Sequence, residues 1–200
     1  MLDTSLQLVK NKMAFQETIR VPADRIGVIV GRNGKVRRRI EKLTNVKLNI
    51  DSEGAVTISS PKASEDPVLA WKARDIVRAI ARGFSPMNAL SLVDEDMRLI
   101  VISLREAVGT SANQLKRVSG RIIGENGRTR RVIEQVTETK VTIYGRTVSI
   151  IGMSPGLDYA RRAIDMLISG APHSAVYSRL ERMRRDMNRQ KSELWEDTDL

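Results

Sequence analysis

The chain has 200 residues, 41% of them hydrophobic, and carries 34 Lys and Arg against 24 Asp and Glu, a net charge of +10 at pH 7. That length suits two small domains of roughly 80–100 residues, each able to bury a core. With no cysteine and a single histidine, His173, it offers neither a disulfide framework nor a zinc site, and no run approaches the roughly 18 apolar residues of a membrane span; the expectation is a cytoplasmic protein.

In chain order, residues 1–13 read as a mobile lead-in without the apolar core of a signal peptide. Residues 14–21, AFQETIRV, hold β-formers and stop at Pro22, which predicts a strand. Pro22 sits at a natural first helical position, and residues 24–30 predict a short apolar helix ended by Gly31. Gly34 opens a second helix over KVRRRIEKLT, with Val36, Ile40 and Leu43 facing inward. A strand over 46–50, a turn over 51–54 and a returning strand over 55–59 follow, then a helix from about Glu65 to Arg82 stopped by Gly83. Residues 83–96 read as a short helical connector with Pro86 near its start.

The second half repeats this order. It has a strand over 97–104, helices over 111–123 and 128–136, a hairpin over 139–143 and 147–151, and a closing helix from Pro155 to Ser169 stopped by Gly170. A last helix spans Ser174 to Trp195, with Val176, Leu180, Met183, Met187 and Leu194 near one stripe and arginines on its other faces; the acidic tail beyond it is expected to fray.

Residues 31–50 (GRNGKVRRRIEKLTNVKLNI) and 124–143 (GENGRTRRVIEQVTETKVTI) are identical at 10 of 20 positions. Two similar units imply two similar folds, with the function in what they share. The basic charge concentrates there: residues 20–47 carry a net +7 and residues 116–146 a net +5, so the rest of the chain is slightly acidic. That is the footprint of a polyanion-binding surface. Two glycines three apart turn the backbone sharply between helices, and the following helix N-terminus favours an anion. Lys35, Arg37 and Arg38 add charge at the first loop, as do Arg128, Arg130 and Arg131 at the second. The combination reads as a phosphate clamp rather than as a bare helical corner.

The pattern Val21-Pro22-x-x-x-Ile26-Gly27-x-Ile29-Val30-Gly31-x-x-Gly34, and Val118-x-Gly120-x-Ile122-Ile123-Gly124-x-x-Gly127 in the second copy, resembles the type I KH domain of RNA-binding proteins. The resemblance implies an α+β chain of two tandem β-α-α-β-β-α domains, each a three-stranded antiparallel sheet packed on helices, plus a C-terminal helix. The boundaries expected are 14–83 for the first domain, 84–96 for the connector, 97–170 for the second domain and 174–195 for the last helix. KH modules grip about four single-stranded nucleotides, backbone on the G-x-x-G loop and bases in an apolar groove. The expected RNA-binding residues are Ile26, Gly27, Ile29, Val30, Gly31, Arg32, Asn33, Gly34, Lys35, Arg37, Arg38, Ile40 and Leu48 in the first domain. In the second they are Gly120, Arg121, Ile122, Ile123, Gly124, Glu125, Asn126, Gly127, Arg128, Arg130, Arg131, Ile133 and Val141. Within these sets the bases would lie against Ile26, Ile29, Val30, Ile40 and Leu48, and against Ile122, Ile123, Ile133 and Val141.

Arg37 and Arg130, where generic KH domains carry an apolar residue, together with GRTRRVIE (127–134) and ARGFSPMNAL (81–90), resemble a narrower subgroup. These are the archaeal relatives of the Krr-type and Partner-of-Nob (Dim-type) ribosome-assembly proteins. The chain itself is expected to be a monomer; the subgroup implies binding to the 3′ region of small-subunit ribosomal RNA during maturation. It further implies contact with translation initiation factor two or with an rRNA-processing endonuclease, and no membrane. Val36 stands where the second copy has Thr129, and Glu125 puts an acid in the second loop, opposing phosphate unless Arg121 or Arg128 neutralises it. Charge favours the first copy for phosphate and motif completeness favours the second for sequence-selective contact. With 4% aromatic residues, stacking on rings is limited, leaving apolar grooves and arginine planes to receive bases.

No P-loop, cysteine nucleophile or G-x-S-x-G elbow is present, so catalysis is not expected, nor any cofactor or metal. Asp94, Glu95 and Asp96 read as a solvated charge run rather than a magnesium site, and His173 as exposed. The competing reading is a protein adaptor that docks a partner in translation initiation or ribosome assembly through the Val176–Met187 stripe, with the KH folds as scaffolds. Its alternative is that the stripe packs back on the second domain.

Overall fold

The computed structural model describes residues 15–51, 53–60 and 67–196, with side chains described except at 67 and 190–196. The expected lead-in over 1–13, Ala14, Ser52, the helix start at 65–66, the tail beyond 196 and the side chains of Leu194 and Trp195 lie outside these residues. The chain divides into two compact units, 1–95 and 96–200.

In the first unit β1 (Gln16–Arg20) leads into α1 (Ala23–Val30), a one-turn 3₁₀ segment (Arg32–Gly34) and α2 (Lys35–Thr44). The strands β2 (Lys47–Ile50) and β3 (Ala55–Ser59) follow, then α3 (Pro67–Ala81), the short α4 (Pro86–Leu90) and a 3₁₀ turn (Ser91–Val93). The sheet order is β1-β3-β2, all antiparallel, with Ile19 opposite Val56 and Leu48 opposite Ile58. Period-two alternation turns Val56 and Ile58 inward, where they meet Ile29, Ile40, Ile76 and Ile80, all fully buried. Polar residues such as Thr18 and Thr57 face the other way, their hydroxyls 3.1 Å apart.

The second unit has the same plan with two additions. Between β4 (Arg98–Ser103) and α6 (Ala112–Ile123) stands a five-residue helix, α5 (Leu104–Val108), capped by the Ser103 hydroxyl. Leu104, its first residue, is fully buried. After the 3₁₀ segment Glu125–Gly127 come α7 (Arg128–Thr137), β5 (Lys140–Tyr144), β6 (Thr147–Gly152) and α8 (Gly156–Ile168), with sheet order β4-β6-β5. The second addition is the long α9 (His173–Glu196). Its Val176, Leu180, Met183 and Met187 are all buried, the first three within the unit's own core with Ile133, Ile164 and Leu167. The stripe therefore packs back on its own unit.

One inward position differs from the sequence pattern. Leu43 is 39% exposed, and Thr44 takes the buried place on α2. Around the helix Thr44 lies about 40° from the buried Ile40 and Leu43 about 60° away on the other side, and Thr44 satisfies its hydroxyl by donating to the Ile40 carbonyl at 2.7 Å. Thr137 does the same toward Ile133 at 2.7 Å. Among the described residues no helix is long and apolar enough to cross a membrane.

Leu180→Ala removes a fully buried side chain of α9. It should lower the stability of the second unit by about 2–5 kcal/mol. Hydrogen exchange under urea should show that loss in β4–β6 and leave β1–β3 unchanged; unaltered protection in β4–β6 would contradict the packing of α9.

Candidate nucleic-acid interface

Each G-x-x-G loop is a left-handed turn wedged between two helix ends. Gly31 (φ 69°), Asn33 (φ 55°) and Gly34 (φ 73°) match Gly124 (φ 71°), Asn126 (φ 49°) and Gly127 (φ 75°). Asparagine is, after glycine, among the residues that tolerate this region best. The two glycines of a pair do different work. A Cβ on Gly31 would stand 2.4 Å from Val36 Cγ2, and one on Gly124 would stand 2.1 Å from Thr129 Oγ1, so the first glycine fits the turn against the following helix. Gly34 and Gly127 are the N-caps of α2 and α7, and neither helix start has a side-chain cap. The first N–H of each helix donates within the loop, Lys35 to the Arg32 carbonyl and Arg128 to the Glu125 carbonyl, and the positive end of each helix dipole stands beside the loop, a setting for an anion.

Gly27 and Gly120 are another matter. They lie inside α1 and α6 with exposed, ordinary helical backbone, and a Cβ at either would meet nothing within 4 Å. Neither conformation nor internal packing calls for glycine there, although it costs about 0.5–1 kcal/mol against alanine in a helix. Both flank the loop and keep the helix surface open to close approach.

The basic residues are held differently from one another. Glu41 Oε1 accepts the Leu48 N–H at 3.0 Å and stands 3.7 Å from Arg37 Nε. Glu134 Oε1 likewise accepts the Val141 N–H at 2.8 Å, with Oε2 3.6 Å from Arg130 Nε. One carboxylate thus ties the helix to the neighbouring strand and orients an arginine, which accounts for Arg37 and Arg130 where an apolar residue would be usual. Arg38 donates to the Asn33 carbonyl at 2.6 Å and stiffens the first loop. Arg32, Lys35 and Arg128, like Arg131, are exposed.

Arg121 is committed elsewhere. Its guanidinium donates to the carbonyls of Leu167 and Ala171, closing the C-terminal end of α8. In the first unit Arg25 does this for α3, donating to Ile80 at 2.9 Å and Phe84 at 2.6 Å. The two arginines occupy different places relative to their loops, so the repeat alignment does not pair them. His173, expected to be exposed, is half-buried, and its Nε2–H donates to the Arg121 carbonyl at 3.0 Å. It caps α6, whose last carbonyls lack intrahelical partners. Tyr177, one turn on, shares a 2.9 Å hydrogen bond with Thr129, which explains why this copy carries threonine where the first has Val36.

Several expected groove residues are corrected by burial. Ile29, Ile40 and Leu48, and Ile122, Ile133 and Val141, are all at most 3% exposed. Their spacing marks the core face, and their side chains offer almost no surface to a base. Ile26 and Val30 are half-buried and Ile123 is 38% exposed; these are the apolar surfaces beside the loops. At Asp94 and Glu95, the ammonium of the buried Lys72 already donates to both backbone carbonyls. Among the described residues no three His, Cys, Asp or Glu side chains converge on a metal position.

Residues 98–185 match the eukaryotic-type KH domain (KH-domain type I), and residues 16–67 match the KH domain. A KH domain-containing protein of Methanocaldococcus jannaschii is 45% identical, over 90% of this chain and 78% of its own length. The pre-rRNA-processing protein pno1 of Schizosaccharomyces pombe is 30% identical over 69% of this chain, which spans only 57% of that protein. Among solved structures, a chain of the a/eIF2alpha–aDim2p–rRNA complex from Pyrococcus horikoshii superposes with a TM-score of 0.81 at 44% identity, covering 88% of this chain and 97% of that one.

Two glycines four residues apart should respond oppositely to substitution. Gly120→Ala should raise stability by about 0.5–1 kcal/mol. Gly124→Ala should lower it by at least about 1–2 kcal/mol, through left-handed backbone and the contact with Thr129. Thermal denaturation of both variants checks the pair; equal effects would contradict the distinct roles.

Proposed function

The chain belongs to the KH-domain family, within the archaeal Dim2p and pno1 group of tandem KH proteins, and on that footing we propose that it binds single-stranded RNA and catalyses no reaction on it. The observation that carries the reading is the turn built twice, each time presenting an uncapped helix N-terminus among exposed arginines and beside an open helical glycine. Phosphates would sit on the loops Gly31–Gly34 and Gly124–Gly127, with Lys35, Arg37, Arg128 and Arg130 around them. Bases would lie against Ile26, Val30 and Ile123. The RNA is the 3′ region of small-subunit rRNA during maturation. The pre-rRNA-processing role in the pno1 name and the rRNA in the Pyrococcus complex support that choice. The same complex supports translation initiation factor two as a protein partner, and an rRNA-processing endonuclease is the other partner that fits.

The adaptor reading is weaker because it needs the apolar stripe of α9, and Val176, Leu180, Met183 and Met187 are buried.

Binding of a labelled strand copying the host's small-subunit rRNA 3′ terminus, against a scrambled strand and a duplex, tests the proposal. The proteins compared are the unsubstituted chain, Arg32→Asp/Asn33→Asp and Glu125→Asp/Asn126→Asp, each across a salt series. The terminal strand should be preferred, with a log–log salt slope of about −0.7 per phosphate neutralised. At least one double variant should lose the preference and flatten the slope. Equal binding of all three nucleic acids, unchanged in both variants, would make the loops mere corners and restore the adaptor reading.

A further inference from the structure

Beside the second loop lies a cavity of about 460 Å³ lined by α6, the loop itself, the first turn of α7 and the first two turns of α9. The space falls within the range of sites that hold one small ligand. Arg117, Arg128, Glu125, His173 and Tyr177 supply its functional groups, over a floor that includes Gly120 and Gly124. The first unit is followed by the short α4 rather than by a helix like α9, so this wall belongs to the second unit's own construction.

The lining specifies a chemistry. Arg121 also faces the cavity but is pinned by two carbonyls, whereas Arg117 and Arg128 are exposed and form no ion pair among the described residues. They can move to meet a phosphate. His173 and Tyr177 stand with ring centroids 6.3 Å apart and planes tilted by 46°, a partly buried aromatic corner in a chain with few aromatics. Glu125 would oppose a bare anion, but a nucleoside brings hydroxyl and amine donors that a carboxylate accepts. Phosphate, rings and donors together describe one nucleotide. Gly124 and Glu125 border both loop and cavity, so a strand lying on the loop reaches the cavity without leaving the surface.

We propose that this pocket holds one further nucleotide of the bound RNA, its phosphate on Arg117 and Arg128 and its base against His173 and Tyr177. The inference rests on the single-strand RNA reading above and goes beyond it in making α9 part of the binding surface. The second unit then reads a strand longer than the roughly four nucleotides a KH module grips.

The test is a length series on the full chain by fluorescence anisotropy, with oligoribonucleotides of about four, five and six residues. They are cut from the rRNA 3′ terminus and lengthened at either the 5′ or the 3′ end. Lengthening at one end should give a step of about tenfold in affinity, the scale of one stacked base. Arg117→Ala should cancel that step. Because the step is a ratio within one protein, a uniform loss of affinity cannot imitate its loss, and Arg117→Ala must still bind the shortest strand measurably for the ratio to be read. No step at either end, or a full step in Arg117→Ala, would overturn the pocket and leave the loop reading standing. Binding of every length left unchanged by Glu125→Asp/Asn126→Asp would instead overturn the loop reading for this unit.

Discussion

The contact between the first glycine of each loop and the residue five places later sets the geometry of both units. Gly31 lies against Val36 and Gly124 against Thr129, closer than any Cβ would allow. This contact lets two helices meet across four residues, Gly31–Gly34 in one unit and Gly124–Gly127 in the other. The remaining left-handed positions, asparagine then glycine, complete the turn and leave the new helix without a side-chain cap. A cap would satisfy those N–H groups internally. Lys35 and Arg128 already donate to the Arg32 and Glu125 carbonyls, the helix starts have no side-chain cap beyond that, and the surrounding arginines raise the local potential for an anion.

Around that turn, both units use ionisable side chains to fix backbone. Glu41 and Glu134 each join a helix to a strand and hold an arginine, and Arg25 and Arg121 each close the end of a long helix. An exposed ion pair adds little stability, at most about 1 kcal/mol. What these residues contribute is position: the arginine beside the loop is oriented before any phosphate arrives, which lowers the entropy lost on binding.

Much of this was legible in the sequence. The repeat, the glycine spacing and the alternation of apolar residues located every strand and all the longer helices. The misreadings share one cause, which is that residue type alone does not report depth. Ile40, Ile133 and Val141 have the character of a groove lining, yet i, i+4 spacing on α2 and α7 sends the isoleucines to the core. Leu43 is apolar yet exposed, and Thr44 takes the buried place because a threonine can bury itself by donating to a carbonyl four residues back. His173 and Tyr177 could not be placed from local pattern, because their partners Arg121 and Thr129 lie about 50 residues away. The short α5 is five residues long and carries no periodicity of its own, so the sequence pattern passes over it.

The difference between the copies follows from the same contacts. Net charge favours the first, but several of its guanidiniums are engaged internally: Arg25 on α3, Arg37 with Glu41, and Arg38 on the Asn33 carbonyl. In the second copy Arg121 and Arg130 are engaged in the same way. Charge therefore gives both loops a long-range field and separates them little in directed contacts. What separates them is the residue against the first glycine. Valine at position 36 ends the story of the first loop in an apolar contact. Threonine at position 129 packs against Gly124 just as closely but carries a hydroxyl, and that hydroxyl reaches Tyr177. One heavy atom thus couples the second loop to a further helix. Movement of α9 must then be felt at the second loop and not through any equivalent bond at Val36.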